Sequence, residues 1–106
     1  MTSKRSRIEK QIMKALMPFR PERVYLFGSW ARDEADELSD VDVVVIKKTR
    51  LPFLDRLLKV RNLFPSNMGA VDVLVYTPEE FSQMKARGNA FARVIEEEGA
   101  LIWNGK

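Results

Sequence analysis

Ser39-Asp-Val-Asp-Val-Val-Val-Ile46 is the stretch on which the fold turns. The β-branched run from Val41 to Ile46, interrupted only by Asp42, reads as a strand buried on both faces, and such a strand needs covering layers above and below its sheet. Downstream, Pro52 opens a segment where Leu54, Leu57, Leu58, Arg61 and Phe64 recur at helical spacing, so a helix is expected to about Phe64. Ala70 to Tyr76 reads as a further strand. Thr77-Pro-Glu-Glu80 fits a capping box, which starts a helix with Phe81 and Met84 on its apolar side and Gly88 at its end. Ala90 to Glu98, with Phe91, Val94 and Ile95, is a last helix, and Ala100 to Trp103 a last short strand. Upstream, Val24 to Phe27 is a short buried strand that ends at Gly28-Ser29, and Trp30-Ala31-Arg32 reads as the first turn of a short helix. Asp33 to Ser39 reads as loop. Ile8, Ile12, Met13 and Leu16 predict an amphipathic helix over roughly residues 5–17, stopped by Pro18 and Pro21. The fold class is therefore α/β, or α+β in a stricter sense: a small mixed sheet of about four strands with helices packed on it.

The chain has 106 residues and 12.3 kDa, which suits one domain over 1–106 with a basic tail at 1–6 and a short tail at 104–106. It contains no cysteine and no histidine. Disulfides, thiolate metal sites, cysteine nucleophiles and imidazole bases are thereby excluded, and any chemistry must use carboxylates, hydroxyls, lysine or arginine. The basic start leads into a charged amphipathic segment without an apolar signal core, so the expected location is cytoplasmic. Net charge is +3, but it is unevenly spread. Residues 1–25 and 47–61 each balance at +5, whereas residues 33–42 hold six acidic side chains and no basic one. A carboxylate block between basic segments suits divalent cations and their phosphate ligands, although a solvated acidic loop has the same composition.

Side chains alternate along a strand, so Asp40 and Asp42 face one way with α-carbons roughly 6.6 Å apart. Asp72 sits in Ala70-Val-Asp-Val-Leu-Val75, where every neighbour is apolar. A charge buried there needs a cation, either a base such as Arg32 or Arg61 or a metal ion. Gly28-Ser29 stands where a strand ends and a helix opens, so free backbone N–H groups and the Ser29 hydroxyl can meet phosphate oxygens, with Arg32 one turn on. Neither a Walker loop nor the three-glycine dinucleotide pattern occurs. Trp30 and Tyr25 are candidates to stack on a base, but aromatic residues beside a strand are more often core. Lys47 and Lys48 read as a solvated face.

Taken together, Phe27-Gly-Ser-Trp-Ala-Arg32, Ser39-Asp-Val-Asp-Val-Val-Val45, Val71-Asp-Val-Leu-Val-Tyr-Thr-Pro-Glu-Glu-Phe81 and the closing Phe91-to-Trp103 segment resemble the minimal nucleotidyltransferases of the DNA polymerase β-like superfamily. The resemblance runs from about Val24 to the end and implies a palm-like fold. It implies that Asp40, Asp42 and Asp72 hold two Mg²⁺ ions about 4 Å apart around ATP or another nucleoside triphosphate. It also implies that Gly28 and Ser29 hold phosphates, that Arg32 contacts triphosphate, and that Asp72 accepts the proton of the attacking hydroxyl. Small members of this superfamily pair with a helical HEPN-domain toxin and act as antitoxins by adenylylating one of its tyrosines. The resemblance thus implies a hetero-oligomer whose partner completes the acceptor site, with neither membrane nor nucleic acid as partner. Two alternatives are an antitoxin that blocks its partner by contact alone and nucleotidyl transfer to a small molecule.

Overall fold

The computed structural model of the chain describes residues 4–32 and 40–105. The proposed loop at Asp33–Ser39 lies outside the described residues. In chain order the elements are α1 (Lys4–Leu16), β1 (Arg23–Phe27), α2 (Gly28–Ala31), β2 (Val41–Ile46), α3 (Phe53–Arg61), β3 (Val71–Tyr76), α4 (Pro78–Ala86), α5 (Ala90–Glu98) and β4 (Ala100–Asn104), with 3-10 turns at Met17–Phe19 and Ser66–Met68. This is the order read from the sequence. Several boundaries differ: Lys4–Ser6 belong to α1 rather than to a tail, α3 stops at Arg61, Asn104 belongs to β4, and α1, β1 and β3 each shift by one residue at an end.

The four strands form one mixed sheet in the order β3-β2-β1-β4. β1 runs antiparallel to both β2 and β4, while β2 and β3 are parallel. A parallel pair needs a crossover, and α3 supplies it. Alternation along β2 divides the core in two. Val41, Val43 and Val45 pack with Ile8, Ile12, Leu16 and Val60 on one face, while Val44 and Ile46 pack with Tyr25, Phe27, Phe81, Ala92 and Ile95 on the other. Double-sided burial of β2 is thus as expected, and each fully buried valine or isoleucine contributes about 1.5–3 kcal/mol through removal of apolar surface from water.

Helix ends follow local chemistry. The Glu80 N–H donates to Thr77 Oγ1 at 3.1 Å and the Thr77 N–H donates to Glu80 Oε1 at 2.8 Å, which closes the capping box. Asn89 Oδ1 accepts from the Ala92 N–H and caps α5. The orientation of α3 departs from its apolar periodicity: its buried residues are Arg56 and Val60, while Leu54 and Leu58 are exposed. Arg56 can be buried because its donors are satisfied. Nε donates to Leu51 O at 2.8 Å, and Nη1 donates to Val75 O at 3.3 Å and to Glu80 Oε1 at 2.6 Å.

Candidate active site

β2 and β3 pair in register, so that Asp42 lies directly beside Asp72. On adjacent parallel strands, partners in register project from the same face, about 4.8 Å apart along the hydrogen-bonding direction. The two aspartates therefore occupy one side of the sheet, the side that carries Val44 and Ile46, and they hydrogen-bond to each other. Asp40, just before β2, is exposed and adds its field to Asp42. The Asp42 carboxyl is held above its ordinary value, chiefly by desolvation, then by the charges of Asp72 and Asp40, and by the hydrogen bond that protonated Asp42 donates to Asp72.

The glycine-serine turn reaches the same spot from the other side. Phe27 pairs with Asp42 across β1 and β2, so Gly28 emerges from the strand next to that carboxylate. Gly28 has φ +68°, and a Cβ placed on it would lie 3.0 Å from Asp42 Oδ2. Only glycine leaves the carboxylate its position there. Ser29 follows in α2, half-buried, and Arg32 is exposed at its end, with its backbone N–H donating to Gly28 O at 3.3 Å.

One sequence expectation needs correction. Asp72 is exposed rather than buried, because β3 is an edge strand with a neighbour on one side only. Its position therefore does not demand a compensating cation, and among the described residues no ion pair joins it to Arg61. Tyr25 is core, as an aromatic residue beside a strand is more often read: its ring packs on Phe81 with centroids 6.4 Å apart, and its hydroxyl accepts from Arg23. Trp30 packs against the α1 side of the core, and Lys48 is exposed as read. The Gly28–Asp42 contact was missed, because it joins residues 14 positions apart whose approach depends on the β1–β2 pairing.

Paired carboxylate oxygens are the donor type that hard divalent cations prefer, and Asp42 and Asp72 fit such an ion. Among the described residues, however, no group of three or more His, Cys, Asp or Glu side chains is assembled as a metal centre. The 42–72 pair is in place and Asp40 acts on it through its charge.

A small mixed sheet that presents aspartates from neighbouring strands beside a glycine turn defines the palm of nucleotidyl-transferring proteins. The chain belongs to the polymerase β nucleotidyltransferase family, whose model matches residues 10–105. Members of that family usually take a nucleoside triphosphate with a divalent metal. Two solved structures share the fold. One is a protein assigned as a nucleotidyltransferase from Sulfolobus solfataricus, at 24% identity and TM-score 0.59 over 92% of this chain and 78% of that one. The other is a toxin-antitoxin structure determined with AMP-PNP, at 20% identity and TM-score 0.66 over 92% of this chain and 74% of that one. No significant match is found among curated proteins.

Proposed function

We propose that this chain transfers AMP from ATP to a hydroxyl of a partner protein, a tyrosine of a helical HEPN-type toxin, and so serves as its antitoxin. The observation that carries the reading is the in-register pairing of Asp42 with Asp72, with Gly28 closed against Asp42. Family membership supports the transferase class, and the toxin-antitoxin neighbour with AMP-PNP supports both the pairing with a partner and the adenine nucleotide.

On this reading Asp42, Asp72 and Asp40 are the residues that would hold divalent cations for the triphosphate. A magnesium ion bound by such carboxylates offsets the charge of the leaving pyrophosphate and lowers the pKa of an attacking hydroxyl. Asp72 takes the proton of that hydroxyl as its oxygen bonds the α-phosphorus, and the bond to the β-phosphate breaks to release pyrophosphate. Gly28 admits the phosphates because no side chain fills the gap beside Asp42. The Ser29 hydroxyl and the Arg32 guanidinium bind their oxygens. The transfer needs no imidazole, since positioning and charge neutralisation supply most of the acceleration in phosphoryl chemistry.

The test uses ATP labelled at the α-phosphate, magnesium, and the product of the adjacent reading frame as acceptor. Wild-type chain should label the acceptor, and Asp42→Asn should not. Equal inhibition of the partner by both variants without label would replace catalysis with inhibition by contact.

A further inference from the structure

Helix α3 buries Val60 but places two of its leucines on the wrong side for a core helix. Leu54 is 71% exposed and Leu58 62%, one turn apart, while the opposite side buries Arg56 at 6%. This orientation is locked. Turning Leu54 and Leu58 inward would break the three hydrogen bonds that satisfy the Arg56 guanidinium, from Leu51 O, Val75 O and Glu80. The exposed side is thus a settled feature of the fold, and two neighbouring leucines on one helix face mark a binding surface more than scattered exposure does. Phe53 extends it: its ring lies 5.8 Å from that of Tyr76 and walls a cavity of about 300 Å³ shared with Met84 and Arg87.

Charge selects the occupant. With Arg56 buried against Glu80, the exposed charges of the segment around the leucines are Arg50, Lys59 and Arg61 against the single carboxylate of Asp55. Among the described residues none of these three enters an ion pair. A second copy of this chain, joined through the same face about a two-fold axis, would set these cations against one another. A helix with a leucine stripe bordered by glutamates or aspartates would bury the apolar pair and complement the rim. We propose that the Leu54–Leu58 face of α3 is a docking surface for an acidic amphipathic helix of a partner protein. Phe53, at the start of α3, contacts Tyr76, four residues and about 13 Å along β3 from Asp72, so the start of this helix lies away from the carboxylates. The inference stands apart from the transferase reading, because it rests on residues outside the carboxylate site.

The probe is a fluorescently labelled helical peptide of about 18 residues with leucines at i, i+4, i+7 and i+11 and glutamates elsewhere, measured by anisotropy against the full chain. Wild type should bind it, and a Leu54→Ser, Leu58→Ser double variant at least tenfold more weakly with unchanged circular dichroism and melting. Arg61→Glu should also weaken binding, and a peptide with lysine in place of glutamate should not bind. Absence of peptide binding, or equal binding by the double variant, would overturn the proposal. So would a wild-type dimer in sedimentation velocity that the double variant abolishes, which assigns the face to self-association, or leucine-dependent binding to vesicles of anionic lipid without peptide binding.

Discussion

Gly28→Ala tests whether the site depends on the turn as closely as the geometry states. Gly28 sits at φ +68°, where an L-residue with a Cβ costs about 1–2 kcal/mol of backbone strain. For a domain near this size that lowers the melting temperature by about 5–15 °C. The new methyl would also stand 3.0 Å from Asp42 Oδ2, short of ordinary contact. The carboxylate or the turn must give by a few tenths of an ångström, because that spacing is tighter than ordinary contacts of a Cβ. Misplacement of a reacting group by about 1 Å costs roughly 100-fold in rate, so a shift of a few tenths of an ångström should cost about 3- to 10-fold in nucleotidyl transfer. Gly88→Ala is the matched control: its φ is +69°, but nothing lies within 4 Å of the added atom. It should lose similar stability and keep its activity below the melting transition. Melting by circular dichroism and single-turnover transfer of labelled AMP read the two effects separately. Equal activity of Gly28→Ala and Gly88→Ala would refute the claim that this turn sets the position of Asp42.

Glu80→Gln removes the charge that faces Arg56 at 2.6 Å, and it should cost about 1–2 kcal/mol at neutral pH, a charge-assisted bond reduced because the Glu80 side chain is 41% exposed. Glu80 is held below the usual carboxylate range, first by its hydrogen bond from Arg56. Its stabilisation is therefore fully present above about pH 4.5 and is lost as pH falls through its lowered folded value; denaturant melts of the variant and wild type should converge at acid pH. Asp42→Asn removes one charge from a crowded group, so in metal-free buffer at neutral pH it should melt no lower than wild type, while magnesium should raise the melting point of wild type more than that of the variant.

How far the sequence could be read depended on whether each residue's neighbours were near in the chain. β2 was legible because five β-branched residues out of six leave little but a doubly covered strand. The α4 start was legible because Thr77 and Glu80 satisfy each other within one turn. The α3 face was not legible from its own residues. Apolar spacing marks the helix, but burial of Arg56 is decided by acceptors at positions 51, 75 and 80. The exposure of Asp72 was hidden in the same way: its apolar neighbours suggest an interior strand, and only the sheet order makes β3 an edge. For the site, the motif spacing brought the right residues to attention, while the register of β2 on β3 makes two of them neighbours.

That register also explains how a small fold can keep its carboxylates together. Two charges about 5 Å apart near a protein surface repel by about 3 kcal/mol at an effective dielectric constant near 20, and by about 1 in bulk water. A fold stable by about 5–15 kcal/mol can carry that load, provided the backbone that holds the charges cannot drift apart. β2 meets this condition, with a strand on each side and core packing on both faces. Asp72 sits on the edge strand, where water screens it and a ligand can approach. Moving the same pair to the interior strands would raise the cost of desolvation and close the approach, whereas moving both to a loop would let repulsion separate them. Rigid pairing at the rim of the sheet is thus the placement that keeps the two carboxylates both close and accessible, and on the proposed reading it leaves the acceptor to be supplied from outside this chain.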